Sequence, residues 1–356
     1  MYERVLITGG AGFVGASIAV ALKTRFSGMQ VVALDNLHRR GSELNLPRLR
    51  AAGVEFVQGD IRNPEDLNTS PPPQLIIECS AEPSAQAGYG GSPEYLIQTN
   101  LVGCFHCLEL ARRTKADFLF LSTSRVYPWT ALNELAYDEN ETRFVLADRQ
   151  SLPGASANGI SEDFPLQGAR SLYGMTKLAA ELMIAEYSLA YDFRYAINRC
   201  GVIAGPWQMG KVDQGIVTLW VAAHHFRKEL NYIGFGGTGK QVRDLVHVDD
   251  LCDLILDQVT SFDRYHGQLF NIGGGRDCSL SLREMTLLCE KITGQQIPIA
   301  ASAENRTADV RIYLSDCQRL TNFSGWRPRR DATDILTDTW NWIRAEENTL
   351  RSALGA

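Results

Sequence analysis

A short apolar strand running without a break into a glycine turn leaves few folds open, and residues 4–15 read RVLITGGAGFVG. Gly10, Gly12 and Gly15 match G-x-G-x-x-G, while Gly9, Gly12 and Gly15 match the related G-x-x-G-x-x-G. Glycines at this spacing permit a tight turn and let backbone N–H groups approach a pyrophosphate. They also seat the next helix, opened here by Phe13 and Val14, with its N-terminus on the anion. A second signal lies at the end of QVVALD, where Asp35 stands 20 residues after Gly15. A carboxylate there accepts hydrogen bonds from ribose hydroxyls and repels a 2′-phosphate, which favours NAD over NADP. Asn36 and Arg40 follow closely enough to line the same site, and an arginine at position 39 or 40 keeps the phosphorylated cofactor open.

The rest of the chain extends that start. RVLIT, QVVALD, VEFVQ, QLIIE, DFLFLS and RYAINR alternate with longer segments of helical period, the clearest being LYGMTKLAAELMIAEYSLAY after Ser171. Such alternation predicts an α/β fold: a Rossmann-type doubly wound parallel sheet, followed by a smaller C-terminal α/β substrate-binding domain. The expected division gives residues 1–200 to the dinucleotide domain, with 243–275 returning to it, and 201–242 with 276–345 to the substrate domain. GDIR follows the third strand and places Asp60 and Ile61 where they can hold an adenine.

Composition narrows the function classes. Lys and Arg total 35 against 41 Asp and Glu, a net charge of −6 that gives no basic footprint for nucleic acid or an anionic membrane. No secretory leader or 20-residue apolar span is visible, so the expectation is a cytoplasmic protein. Eight cysteines lie among apolar neighbours, as reduced thiols do, and the six histidines lack metal-ligand spacing; no metal is expected. Cys104 and Cys107 form a CxxC inside an amphipathic segment, with no second pair to complete a metal site, and read as a buried helix face.

The chemistry points to residues 171–177, SLYGMTK. Tyr173 and Lys177 are four apart in a helical pattern and face the same way. An ammonium roughly 4 Å from a phenol contributes up to ~4 kcal/mol at an effective dielectric near 20. At ~1.4 kcal/mol per pH unit, this brings a tyrosine down from about 10 towards 7 and makes it a usable base. The strand end STSRVYP places three hydroxyls, Ser122, Thr123 and Ser124, ahead of Arg125 and Tyr127.

Taken together, TGGAGFVG, DNL, GDIR, STSRVYP, YGMTK and RDLVHVDD resemble the motifs of the extended short-chain dehydrogenase/reductase family of nucleotide-sugar epimerases and dehydratases, over essentially the whole chain. The resemblance implies NAD in the N-terminal domain, a nucleotide-sugar substrate, and Thr123, Tyr173 and Lys177 as catalytic residues. It adds Ser80, Ala81, Glu82, Asn100 and Ser122 as cofactor contacts, beside Tyr173 and Lys177. For the substrate it implies Ser84, Thr123, Ser124, Arg125, Asn198, Lys211, Gln214, Gln241, Arg243, Arg306 and Asp309, with Arg243 and Arg306 on the diphosphate.

Relatives that eliminate water carry Asp-Glu directly after the catalytic Ser/Thr; here Ser124-Arg125 stands there, and a hydroxyl with a cation cannot perform a carboxyl pair's proton transfers. DNLHRRG, NETR, KVDQG, GKQVRD and FNIGGG resemble the branch that epimerises CDP-hexoses at C2. Alternatives are C4 inversion or oxidative decarboxylation of a UDP-sugar, or a non-catalytic NAD-binding sensor. The resemblance further implies a homodimer or homotetramer. Glu78-Cys79-Ser80 departs from the His-Leu-Ala usual in relatives, and Pro128 from their glycine.

Overall fold

A computed structural model of the chain describes residues 1–210 and 214–353. Its largest element is a seven-stranded parallel sheet built from β1 (Arg4–Thr8), β2 (Gln30–Asp35), β3 (Glu55–Gln58), β4 (Leu75–Glu78), β5 (Asp117–Thr123), β6 (Tyr195–Cys200) and β7 (Gln268–Ile272). The order is β7-β6-β5-β4-β1-β2-β3. Reversal of the winding beside β1 is the mark of the doubly wound fold expected from the sequence. Continuous apolar runs form these strands because a parallel sheet buries both faces, and Val5, Leu6 and Ile7 are all 0% exposed.

The chain divides into two compact units. One contains residues 1–123, 172–199 and 252–269; the other contains 124–171, 200–251 and 270–356. In the first unit, helix α1 (Phe13–Arg25) follows β1, α2 (Gly103–Thr114) precedes β5, and α3 (Leu172–Tyr191) precedes β6. A core of Leu6, Val32, Ile76, Phe118 and Phe120 takes Cys104, Cys107 and Leu108 from α2 and Ala180 and Ile184 from α3. Both thiols of the CxxC are therefore buried and unbridged, as its helical setting predicts.

The second unit has its own small sheet, in which Val242–His247 lies between Val202–Ala204 and Ser279–Ser281 and also pairs with Ile312–Tyr313. This division differs from the sequence expectation at four places. Residues 124–171, Cys200, 243–251 and 270–275 all belong to the second unit. The reason is hydrogen bonding by the 124–171 segment. Arg143 forms an ion pair with Glu284 at 2.5 Å, Phe144 N–H donates to Lys240 O at 3.0 Å, and Ile160 N–H donates to Leu314 O at 2.8 Å. Among the described residues, no helix is long and apolar enough to cross a membrane, and no His, Cys, Asp and Glu cluster has the makings of a metal site.

Candidate active site and cofactor cradle

The glycine turn between β1 and α1 is tight in the way a dinucleotide requires. Gly9 has φ +63°, and a Cβ on it would lie 2.9 Å from the backbone of Cys79 and Ser80; one on Gly15 would lie 2.2 Å from Gly9 O. No side chain caps α1 and no acid occupies its first turn, so its leading N–H groups are left for an anion. Replacing Gly15 by alanine should force the turn open, costing about 1–3 kcal/mol of stability by overpacking and sharply weakening NAD binding, both measurable by urea unfolding and NAD titration.

Asp35 ends β2 beside this turn. Its carboxylate accepts N–H donors from Ala11 at 3.1 Å and Leu37 at 2.8 Å, while burial raises its pKa against those bonds. Asn36 donates to Asp60 at 2.9 Å, and Arg62 grips the same carboxylate at 2.6 Å. Burial alone would raise the Asp60 pKa, yet these partners hold it down at about 2. Its contribution to stability is therefore fully present above the ordinary aspartate range and lost as pH falls through about 2; carboxyl NMR should place its titration there. Ile61 is 4% exposed, packs in the core and meets His106 Nδ1 through its carbonyl oxygen at 2.9 Å. Arg40 lies exposed on the loop after β2.

Ser80, Ala81 and Glu82 follow β4 in a half-buried loop that Asn100 clamps: Glu82 N–H donates to Asn100 Oδ1 at 2.7 Å, and Asn100 Nδ2 donates to Glu82 O at 3.0 Å. Asn100 sits in a widened helical turn, Gln98–Val102, and also donates to Thr176 Oγ1 on α3 at 3.3 Å. Ser84, buried at 3% exposure, continues the same loop.

Thr123 is the last residue of β5, and Tyr173 and Lys177 occupy the first two turns of α3; all three are buried in the first unit. Lys177 Nζ lies 3.8 Å over the Phe120 ring and 3.5 Å from Glu78 Oε2. Burial alone would discharge this lysine, but the Glu78 charge, with Tyr173 adding to it, keeps its pKa above the ordinary value. Burial pushes Glu78 upward while Lys177 pulls it back.

Ser122, expected at the cofactor, instead donates to Glu181 Oε1 at 2.5 Å, and Glu181 is gripped by Arg199 at 2.7 Å. All three are 5% exposed or less, so the serine braces the strand end. Asn198 is also corrected: wholly buried, it exchanges amide hydrogen bonds with Gln258 at 2.8 and 2.9 Å and pins β6 to a helix. Sequence reasoning misses Glu181 and Arg199, although Glu181 lies four residues beyond Lys177 on the same buried stripe. A carboxylate on such a stripe demands a cation.

In the second unit, Ser124, Arg125 and Arg243 line one open cleft together with Tyr127, Trp129 and Tyr313. Arg125 donates to Ala308 O at 3.2 Å, and Arg243 pairs with Asp309 at 2.9 Å. Burial, joined by the nearby Arg125, lowers the Arg243 pKa to about 10 against the pull of Asp309. The described lining holds two guanidiniums and no carboxyl group. Gln241 donates to Ile233 O at 3.0 Å, and Arg306 accepts the Asp309 N–H through its backbone at 3.2 Å. Gln214 is half-buried before helix Ile216–Phe226, and Lys211 lies outside the described residues.

Comparison with known proteins agrees with this architecture. The sequence model of the NAD dependent epimerase/dehydratase family matches residues 5–273. The chain is 29% identical to CDP-paratose 2-epimerase of Salmonella typhi, over 95% of this chain and 98% of that one. It is 28% identical to dTDP-glucose 4,6-dehydratase of Mycolicibacterium smegmatis, over 98% and 95%. Its fold is similar to the UDP-glucose 4-epimerase of Thermus thermophilus, solved with NAD, at a TM-score of 0.76 and 23% identity over 96% and 99% of the two chains.

Proposed function

Since this chain belongs to the NAD dependent epimerase/dehydratase family, we propose that it is a nucleotide-sugar epimerase inverting C2 of a CDP-hexose of the paratose, tyvelose or glucose type. The observation that carries this reading is the cleft lined by Ser124, Arg125 and Arg243, which offers cations for a diphosphate and no carboxyl pair for expelling water. Similarity to CDP-paratose 2-epimerase supports the choice of carbon and base.

The chain's residues fit NAD. The Gly9–Gly15 turn and the start of α1 would take the pyrophosphate, Asp35 the adenosine ribose, Asp60 and Ile61 the adenine, and Tyr173 and Lys177 the nicotinamide ribose. When bound, NAD supplies reversible oxidation of a sugar carbon. Tyr173 removes the proton from the C2 hydroxyl, Thr123 hydrogen-bonds the same oxygen, and Lys177 supplies the positive charge behind the phenol. Arg243, Arg306 and Arg125 hold the anionic half of the substrate while the ketone reorients. The phenol then returns its proton to the opposite-handed product.

Incubation with CDP-paratose, CDP-glucose and UDP-glucose, followed by NMR of the ring protons in deuterated water, tests this directly. A C2-inverted CDP-sugar without solvent deuterium is expected. Inversion confined to C4 would overturn the reading.

A further inference from the structure

The proton transfer proposed above places one cation behind one tyrosine, but the structure gives that cation a partner. Glu78 closes β4, in register with Thr8 of β1 and Phe120 of β5. Its side chain is 1% exposed and that of Lys177 2%, with 3.5 Å between Oε2 and Nζ. Water therefore does not screen this pair, and each charge depends on the other to offset its loss of hydration.

The other titratable groups facing the pair are Tyr173 from α3, Cys79 beside Glu78, and Cys104 and Cys107 from α2. Burial pushes the Cys104 and Cys107 thiols up, so they stay neutral. Glu181 of α3 and Arg199 of β6 pair with each other at 2.7 Å. Glu78 is thus the counter-ion that the described surroundings give Lys177.

An ammonium favours tyrosinate only while it keeps its proton, and a buried lysine without a counter-ion gives that proton up. Resting on the reading of Tyr173 and Lys177 as the proton-transfer pair, we propose that Glu78 is a positioning residue. It holds Lys177 charged and fixed against the Phe120 ring, and through that charge it keeps the Tyr173 hydroxyl acidic. Glu78 thereby governs the strength of the base at one remove.

The test is a titration of protein carrying ¹³Cζ-tyrosine, with and without NAD, the Tyr173 signal being identified by its loss in Tyr173→Phe. In Glu78→Gln, which removes the charge but keeps the shape, Lys177 loses the counter-ion that holds its proton and the Tyr173 midpoint should rise by about one pH unit or more. The acid limb of kcat should move up with it while KM for the sugar nucleotide holds. Glu78→Asp, which keeps the charge, should restore the original midpoint. A Glu78→Gln midpoint that is unchanged or lowered overturns the proposal.

Should Glu78→Gln not fold, a ¹³Cε-lysine titration of the unaltered protein decides. Lys177 still charged above the ordinary lysine range supports the counter-ion role, and discharge below that range overturns it. Failure to turn over any sugar would defeat the epimerase reading alone, because these titrations need no turnover.

Discussion

Replacing Tyr173 by phenylalanine should lower the rate of sugar interconversion by about 10²- to 10⁴-fold, the usual worth of a positioned general base. NAD affinity should fall far less, by about tenfold at most, the worth of one hydrogen bond to the nicotinamide ribose. The substitution removes one hydroxyl from a side chain that is 8% exposed and keeps its ring. A phenylalanine on the first turn of α3 has no polar atom to orphan, and the glycine turn and Asp35 lie on other elements. Stopped-flow or NMR turnover assays beside an NAD titration would separate the two effects. Turnover within a few-fold of the unaltered protein would remove Tyr173 from the chemistry.

The second large effect is on stability. Glu181→Ala should destabilise the protein by about 3–5 kcal/mol, because it takes the carboxylate from a buried guanidinium. Arg199 is 4% exposed and donates to both Glu181 oxygens, at 3.0 and 2.7 Å. The Ser122 hydroxyl loses its acceptor as well. Removing both charges, in Glu181→Leu with Arg199→Met, should cost less than Glu181→Ala alone, since the penalty lies in the unpaired charge rather than in the lost attraction. Urea unfolding of the three proteins gives the comparison. A double variant less stable than the single one would contradict this account.

Much of the first unit is legible in the sequence because its signals are local. Apolar runs of four to seven residues mark the strands, a glycine spacing marks the turn, and Tyr173 and Lys177 declare themselves by standing one helical turn apart. The pairings that join distant segments are not legible. Glu78 meets Lys177 across 99 positions and Ser122 meets Glu181 across 59, and no periodicity links such sites. Spacing alone consequently weighs the ammonium in the tyrosine's acidity and omits the carboxylate behind it. Asn198 and Ser122 are similarly beyond reach: a polar residue at a strand end has the same appearance whether it meets a ligand or a buried amide. The allegiance of residues 124–171 depends on backbone bonds to Lys240 and Leu314, far along the chain.

The way the two units share the chain has a practical consequence. Each is assembled from three separate stretches, and the first handover falls between Thr123 and Ser124, inside a single heptapeptide. No single cut can release either unit whole: a fragment ending at residue 200 would carry 124–171 without the strands and helices that satisfy its backbone. Grafting the arginine-lined cleft onto a relative therefore calls for transplanting three segments at once. A redesign of sugar preference is better attempted by point changes at Ser124 and Arg125, which leave every crossover in place.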